Sequence, residues 1–288
     1  MNRRCCQPAR KVSSSKQGTA CQSGYHGPVT AITPLRRVGL ARALCKLGYC
    51  SRARACELIR AGRVTLNGAR RRDPEAPLNL AADRIQVDGA AVTDRSKLNL
   101  MLNKPRGLVT SASDEKGRET IYSCLSPEIP WVAPVGRLDK ASEGLLLVTN
   151  DSEWAARVLD PETHLGKTYH VQIRGRAEPE VARSLMHGVN TDAGFLRVRH
   201  ASILRQGGRN TWLEAVLDEG RNRHIRRMLE GLGIEVLRLV RVAIGPLVLG
   251  DLPKGASREL TADEKQALEL AMGRGIPPTR AETRAPRR

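Results

Sequence analysis

The chain has 288 residues, 48 of them Lys or Arg and 30 Asp or Glu, for a net charge of +18. Hydrophobic residues make up 40% and charged residues 27%, which suits a globular chain and excludes a wholly disordered one. No run of about 18 apolar residues is present to span a membrane, and at roughly 100–200 residues per domain the length suggests two domains.

Residues 1–37 hold seven basic side chains and no acidic one, without hydrophobic period, and read as a disordered basic arm. They also lack the apolar core of a secretory signal at their start, so a cytoplasmic location is expected. Leu40, Leu44 and Leu47 then recur at helical spacing, and Gly48 stops the turn. Ser51 can cap a second helix carrying Ala55, Leu58 and Ile59, which ends at Gly62. Val64 and Leu66 alternate as a strand into Asn67-Gly68, and Ile85 and Val87 form another into Asp88-Gly89. Residues 38–95 thus read as a small helix–helix–hairpin domain, with 11 basic and 6 acidic side chains.

A second domain is expected over residues 96–272. Strands are predicted at 98–103, 145–149, 167–173, 197–203, 211–217 and 236–242, and helices at 152–159, 179–187, 222–232 and 262–272. Asp151 is the expected cap of the first helix, and Thr261 with Glu264 forms a capping box for the last. Strands outnumber helices without strict alternation, so the fold class is α+β with a mixed, mostly antiparallel sheet. Residues 273–288, with five Arg and one Glu, read as a basic Pro/Arg-rich tail.

Residues 96–272 are nearly neutral, so the basic charge sits in the two ends and the small domain. That is the footprint of a polyanion binder. Solubilising tails would explain the ends but not the small domain. The seven cysteines, Cys5, Cys6, Cys21, Cys45, Cys50, Cys56 and Cys124, are odd in number and show no C-x-x-C spacing, so they are read as reduced thiols and no metal site is expected.

Three segments could carry chemistry. Asp139 lies in the polar loop Gly136–Gly144 just before an apolar strand, where a sheet can hold a carboxylate at a pocket floor; an ordinary loop Asp beside Arg137 fits the spacing as well. Tyr169 alternates with Val171 and Ile173 and could stack on a base, carry a proton or close a core edge. In Gly220–Met228, Ile225 and Met228 share a helix face while Arg223, Arg226 and Arg227 project elsewhere. Arg226 could pair with Glu230 at i,i+4. Arginines crowding a helix start oppose the macrodipole, a cost that a phosphate backbone or a buried carboxylate would offset.

Together with Asn103–Gly107, Lys167-Thr168-Tyr169 and Arg238–Leu247, these segments resemble a bacterial ribosomal RNA pseudouridine synthase of the RsuA type, over residues 38–270. Residues 38–95 resemble the small RNA-binding domain named after ribosomal protein S-four, through Gly48–Arg52, Ala61–Val64 and Val87-Asp88-Gly89. Two features depart from the pattern: His224 stands where the family usually has Gln, and the first helix opens Gly39-Leu40-Ala41-Arg42. The resemblance implies that a uridine within ribosomal RNA, with a lean to the large subunit, is isomerised to pseudouridine after flipping from its stack. Asp139 is then the essential aspartate, Tyr169 the active-site tyrosine, Arg226 the partner that keeps Asp139 ionised, and Arg137 a neighbour of the flipped base. Arg52, Arg54 and Arg63, with Lys104, Arg106, Arg221, Arg223 and Arg227, are expected to contact RNA. The implied reaction needs no cofactor and no metal. The partner would be ribosomal RNA or a pre-ribosomal particle, met by a monomer. Competing readings are a non-catalytic RNA-binding or ribosome-assembly protein, a hydrolase that would need Glu143 as a second carboxylate, and, less favoured, a DNA-binding regulator.

Overall fold

The computed structural model describes residues 37–111, 114 and 116–273. Apart from Arg37 and Gly273, the expected basic arm and tail lie outside the described residues, as do Cys5, Cys6 and Cys21.

The small domain runs β1 (Val38–Gly39), α1 (Leu40–Lys46), α2 (Arg52–Arg60), β2 (Val64–Leu66), β3 (Ala69–Arg71), β4 (Pro77–Leu78), β5 (Ile85–Val87) and β6 (Ala90–Ala91). Leu40, Leu44, Ile59, Val64, Leu78 and Val87 fill its core. Gly48 turns the chain after α1 at φ +67°, and the Ser51 hydroxyl accepts from Arg54 N to cap α2. Asn67-Gly68 and Asp88-Gly89 all take positive φ, the conformation that suits two-residue hairpin turns. They close an antiparallel sheet of order β3-β2-β5-β6.

The larger domain adds β7 (Asn99–Lys104), β8 (Ala133–Val135), β9 (Glu143–Thr149), α3 (Ser152–Leu159), β10 (Lys167–Arg174), α4 (Pro179–His187), β11 (Val189–Thr191), β12 (Gly194–Leu196), β13 (His200–Gln206), β14 (Asn210–Leu217), α5 (His224–Gly231), β15 (Val236–Ile244), β16 (Leu247–Val248), β17 (Ser257–Glu259) and α6 (Ala262–Gly273). The main sheet has the order β13-β14-β10-β15-β9-β7-β17, with β16 on β15 and β8 on β9. Within it only β9 and β15 run parallel. Every residue of β7 and β9 is buried, so the middle of the sheet is covered on both faces. Leu102, Leu146, Val171, Leu213, Ile225 and Met228 pack in one core cluster, and Met101, Leu145, Leu147, Trp154, Val158 and Leu268 in another.

Helices α3 and α4 span the residues predicted for them. Asp151 accepts from the backbone of Glu153 and Trp154, and Thr261 and Glu264 form the reciprocal capping box of α6. Most other boundaries shift by one to three residues, and two of the shifts have a visible cause. The strand expected from 197 begins at His200, because Val198 N donates instead to Leu185 O at the end of α4. The helix expected from 222 begins at His224, because Arg223 takes a left-handed φ of +52°.

The small domain is fastened to the larger one near the C-terminal end of β9. The Asn150 side chain accepts from Leu98 N and donates to Ser96 O, and the turn at Gly48 packs against it. Lys46 pairs with Glu153 at 2.6 Å, and Lys97 Nζ donates to Lys46 O.

Candidate active site

The loop between β8 and β9 carries Asp139 into a cleft of about 760 Å³. Its backbone is held at five successive carbonyls. Leu138 O accepts from the Thr110 hydroxyl at 2.7 Å. Asp139 O accepts from Ser142 N and from Lys104 Nζ, and Lys140 O from Gly107 N at 2.8 Å. Ala141 O accepts from Arg226 Nη2 at 3.0 Å, and Ser142 O from Lys104 Nζ at 2.9 Å. A loop with its carbonyls so engaged has little freedom, and its one half-buried carboxylate is presented at a fixed place.

Lys104 is central to that brace. It is 0% exposed, and its ammonium donates to Pro105 O as well as to the two loop carbonyls. Burial lowers its pKa to about 8, against the pull of the Asp139 charge. The expectation that Lys104 contacts RNA is therefore corrected: no donor is offered to solvent, and the side chain supports the Asp139 loop from below.

Arg226 lies beside the same loop. Among the described residues it makes no ion pair with Asp139 or Glu230; its Nη2 donates to the Ala141 carbonyl. The Asp139 charge still acts on it, opposing the larger effect of burial, which lowers the Arg226 pKa. The expected ion pair is thus an electrostatic neighbourhood, with the guanidinium anchoring the loop that carries the acid.

Tyr169 is 8% exposed, packs in the core and lines the cleft, so the core-edge reading holds and the ring also borders the cavity. Arg137 is exposed at the rim, two residues from Asp139. Arg221, Arg223 and His224 line the cleft from the start of α5. His224 Nε2 meets Arg197 O at 3.0 Å, and burial lowers the pKa of the ring. Among the described residues, five buried side-chain polar atoms lack a hydrogen-bond partner; four belong to Ser142, His224, Arg226 and Arg241, around this cleft. Such atoms concentrate where another molecule completes the bonding.

The remaining candidates lie elsewhere. Arg52, Arg54 and Arg63 are exposed on the small domain and pair with Glu75, Glu57 and Asp88. Surface pairs of this kind are weak and can exchange for phosphate. Arg106 is exposed near Leu237 O. Arg221 and Arg227 have carboxylate neighbours in Glu219 and Asp192, so part of the charge crowding at α5 is offset within the chain.

Glu143 is not a second acid for Asp139. It is 3% exposed and accepts from Arg238 and Lys254. Burial alone would raise its pKa, but the bonds from Arg238 and Lys254 outweigh that and hold it low.

Lys167 and Arg241 also line the cleft and were not singled out as site residues from the sequence. The signal available was register: each is a cation at an inward position of an alternating strand, Lys167 before Tyr169 and Val171, and Arg241 after Leu239.

This geometry, a braced aspartate and a buried tyrosine in a basic cleft beside a small basic domain, defines an enzyme acting on nucleic acid. Comparison with known proteins specifies the class. The family model described as RNA pseudouridylate synthase matches residues 99–231, and that of the S4 domain matches residues 38–85. An uncharacterized RNA pseudouridine synthase of Aquifex aeolicus is 37% identical over 240 residues, covering 83% of this chain and 96% of its own. Ribosomal large subunit pseudouridine synthase B of Bacillus subtilis is 33% identical over 238 residues, covering 82% and 97%. A crystal structure of a pseudouridylate synthase aligns with a TM-score of 0.58 at 28% identity, covering 80% of this chain and 99% of its own. The chain belongs to the RNA pseudouridine synthases, with an RNA-binding S4 domain preceding the synthase domain.

Proposed function

We propose that this synthase converts a uridine of large-subunit ribosomal RNA, in the cytoplasm, with Asp139 as the essential group. The observation that carries the reading is the Asp139 loop: five braced carbonyls hold one carboxylate at the floor of a basic cleft. The large-subunit assignment rests on the name of the Bacillus subtilis relative.

The reaction breaks the bond from ribose C1′ to ring nitrogen one, turns the uracil, and joins carbon five to C1′; carbon five loses its proton and nitrogen one gains one. Nothing is added or removed overall. The target must first leave its stack, at a cost of a few kcal/mol. Arg137, exposed at the rim, props the gap that the base vacates. Asp139 acts on the sugar, either as nucleophile at C1′ or as base at C2′. Tyr169 stacks on the uracil, and its hydroxyl serves the proton transfer from carbon five. Arg226 and Lys104 keep the loop and its charge in place. Arg52, Arg54, Arg63, Arg106, Arg221, Arg223 and Arg227 contribute phosphate contacts. The exposed large apolar side chains Leu159, Phe195, Leu204, Val248 and Leu270 are spread over separate elements, in keeping with action as a monomer.

The test uses ribosomal RNA tritiated at carbon five of uridine. Wild type releases tritium and Asp139→Asn does not. Release by Asp139→Asn at the wild-type rate would sink the assignment. Tyr169→Phe keeps its packing and slows release if the hydroxyl handles the proton; an unchanged rate would leave it a stacking role alone.

A further inference from the structure

The cleft contains a charged pair that the roles given to Asp139, Tyr169 and Arg226 leave unused. Arg241 lies across the β10–β15 ladder from Tyr169, and Lys167 opens β10 two residues before it. Arg241 is 6% exposed and uses one donor, Nε to Leu145 O at 2.7 Å, while its Nη2 is buried with no acceptor. Lys167 Nζ reaches only the backbone carbonyl of Asp218, at 3.4 Å; the Asp218 carboxylate is engaged by Arg199 at 3.2 Å. Among the described residues neither cation has a carboxylate partner. Other cleft cations differ: Arg118 and Arg221 pair with Asp114 and Glu219, and Arg137, Lys140 and Arg223 face solvent.

The two charges feel one another. Burial, and after it the positive charge of Arg241, keep the Lys167 pKa below the ordinary lysine range. Holding two partly desolvated cations together is unfavourable to folding unless an anion joins them. A phosphate fits that need, because the guanidinium fork can grip two of its oxygens while the ammonium supplies a point charge.

We propose that Lys167 and Arg241 form a phosphate subsite on the cleft floor that holds a phosphodiester next to the flipped uridine. The assignment rests on the RNA-isomerase reading of the same cleft. Lys167 and Arg241 are positioning residues here: they fix the backbone so that the sugar meets Asp139.

The experiment measures binding rather than turnover. A large-subunit ribosomal RNA transcript is titrated with the Asp139→Asn chain over a range of salt concentrations, with and without Lys167→Met. Loss of one phosphate contact lowers the slope of log affinity against log salt by about 0.7 for single-stranded RNA. Lys167→Met is expected to show that drop with roughly tenfold weaker binding at low salt, and Lys167→Arg to restore both. The Lys167→Met chain should melt at or above its parent, because a repulsion is relieved. An unchanged slope and affinity would overturn the subsite, as would an unchanged slope with a lower melting temperature, the mark of a purely structural lysine. If Lys167→Met does not fold, Arg241→Lys decides: it keeps the charge but not the fork, so affinity falls at constant slope, and unchanged affinity overturns the proposal. Tritium release by wild type is scored separately, so the isomerase reading and the subsite can fail independently.

Discussion

Lys104 shows how a single side chain ties sequence, stability and chemistry together. A fully buried lysine goes against its usual surface preference, and it is tolerated because three carbonyls receive its protons. Lys104→Met removes those donors and takes a bond from each carbonyl, leaving Asp139 O only its bond from Ser142 N. A loss of about 3 kcal/mol in a denaturant melt is expected, with slower isomerisation as the Asp139 loop loosens. The pH dependence has a definite sign. With the folded pKa near 8 and the free lysine value at 10.5, the unfolded chain binds more protons between the two. The wild type should therefore gain stability relative to Lys104→Met as pH rises through that window. A flat difference would show that Lys104 keeps its ordinary pKa. None of this was legible in the sequence, where Lys104 stands in a motif as one more cation near RNA. Asp139 was legible as a loop carboxylate before an apolar strand, but spacing alone favoured an ordinary surface Asp. The ordered set of motifs singled it out.

At the scale of elements, the readable ones were those with both a period and an end signal. α3 and α4 had an amphipathic repeat and a defined start, Asp151 or Pro179, and the structure places them where predicted. Strands β8, β11, β12, β16 and β17 have two or three residues each and were not predicted; β2 and β5 are as short but lead into the turn signals Asn67-Gly68 and Asp88-Gly89. The parallel contact of β9 with β15 depends on Gly144. Its φ is +102°, and a Cβ there would lie 2.2 Å from Arg241 O. Gly144→Ala should cost several kcal/mol through that backbone clash and yield little soluble protein. Ordinary expression and melting would show that the two strands can part without harm. The start of α6 makes a milder prediction. Glu264 bonds first to Arg258 and then to the Thr261 backbone, which holds its pKa down to about 2. A lowered carboxylate pKa gives stability that is present above the unfolded value near 4.5 and lost as pH falls toward 2. With Arg258 partly in solvent, the contribution is about 1 kcal/mol. Glu264→Gln should lower the melting temperature at pH 7 and make no difference at pH 2.

At the scale of the whole molecule, charge and chemistry are separated. Residues 96–272 are nearly neutral in sum, whereas residues 1–37 carry seven cations without a carboxylate. A chain lacking residues 1–36 should therefore keep its turnover at saturating RNA but bind with a smaller salt slope. An unchanged slope would show that the arm does not touch phosphate. The two-domain organisation was legible because the charge balance and the element pattern both change near residue 96. The way the domains are fastened was not, since it depends on single contacts far apart in sequence, Lys46 with Glu153 and the Gly48 turn against Asn150.

That fastening turns β9 into a measuring rod. The strand begins just after the Asp139 loop and ends next to Asn150, where the small domain is tied. Its seven residues span about 20 Å at 3.3 Å per step. Both ends are pinned, one by carbonyls bonded to Lys104 and Arg226, the other by an amide clasp, so the rod has no slack. The Asp139 loop and the junction with the small domain are therefore held about 20 Å apart along the sheet.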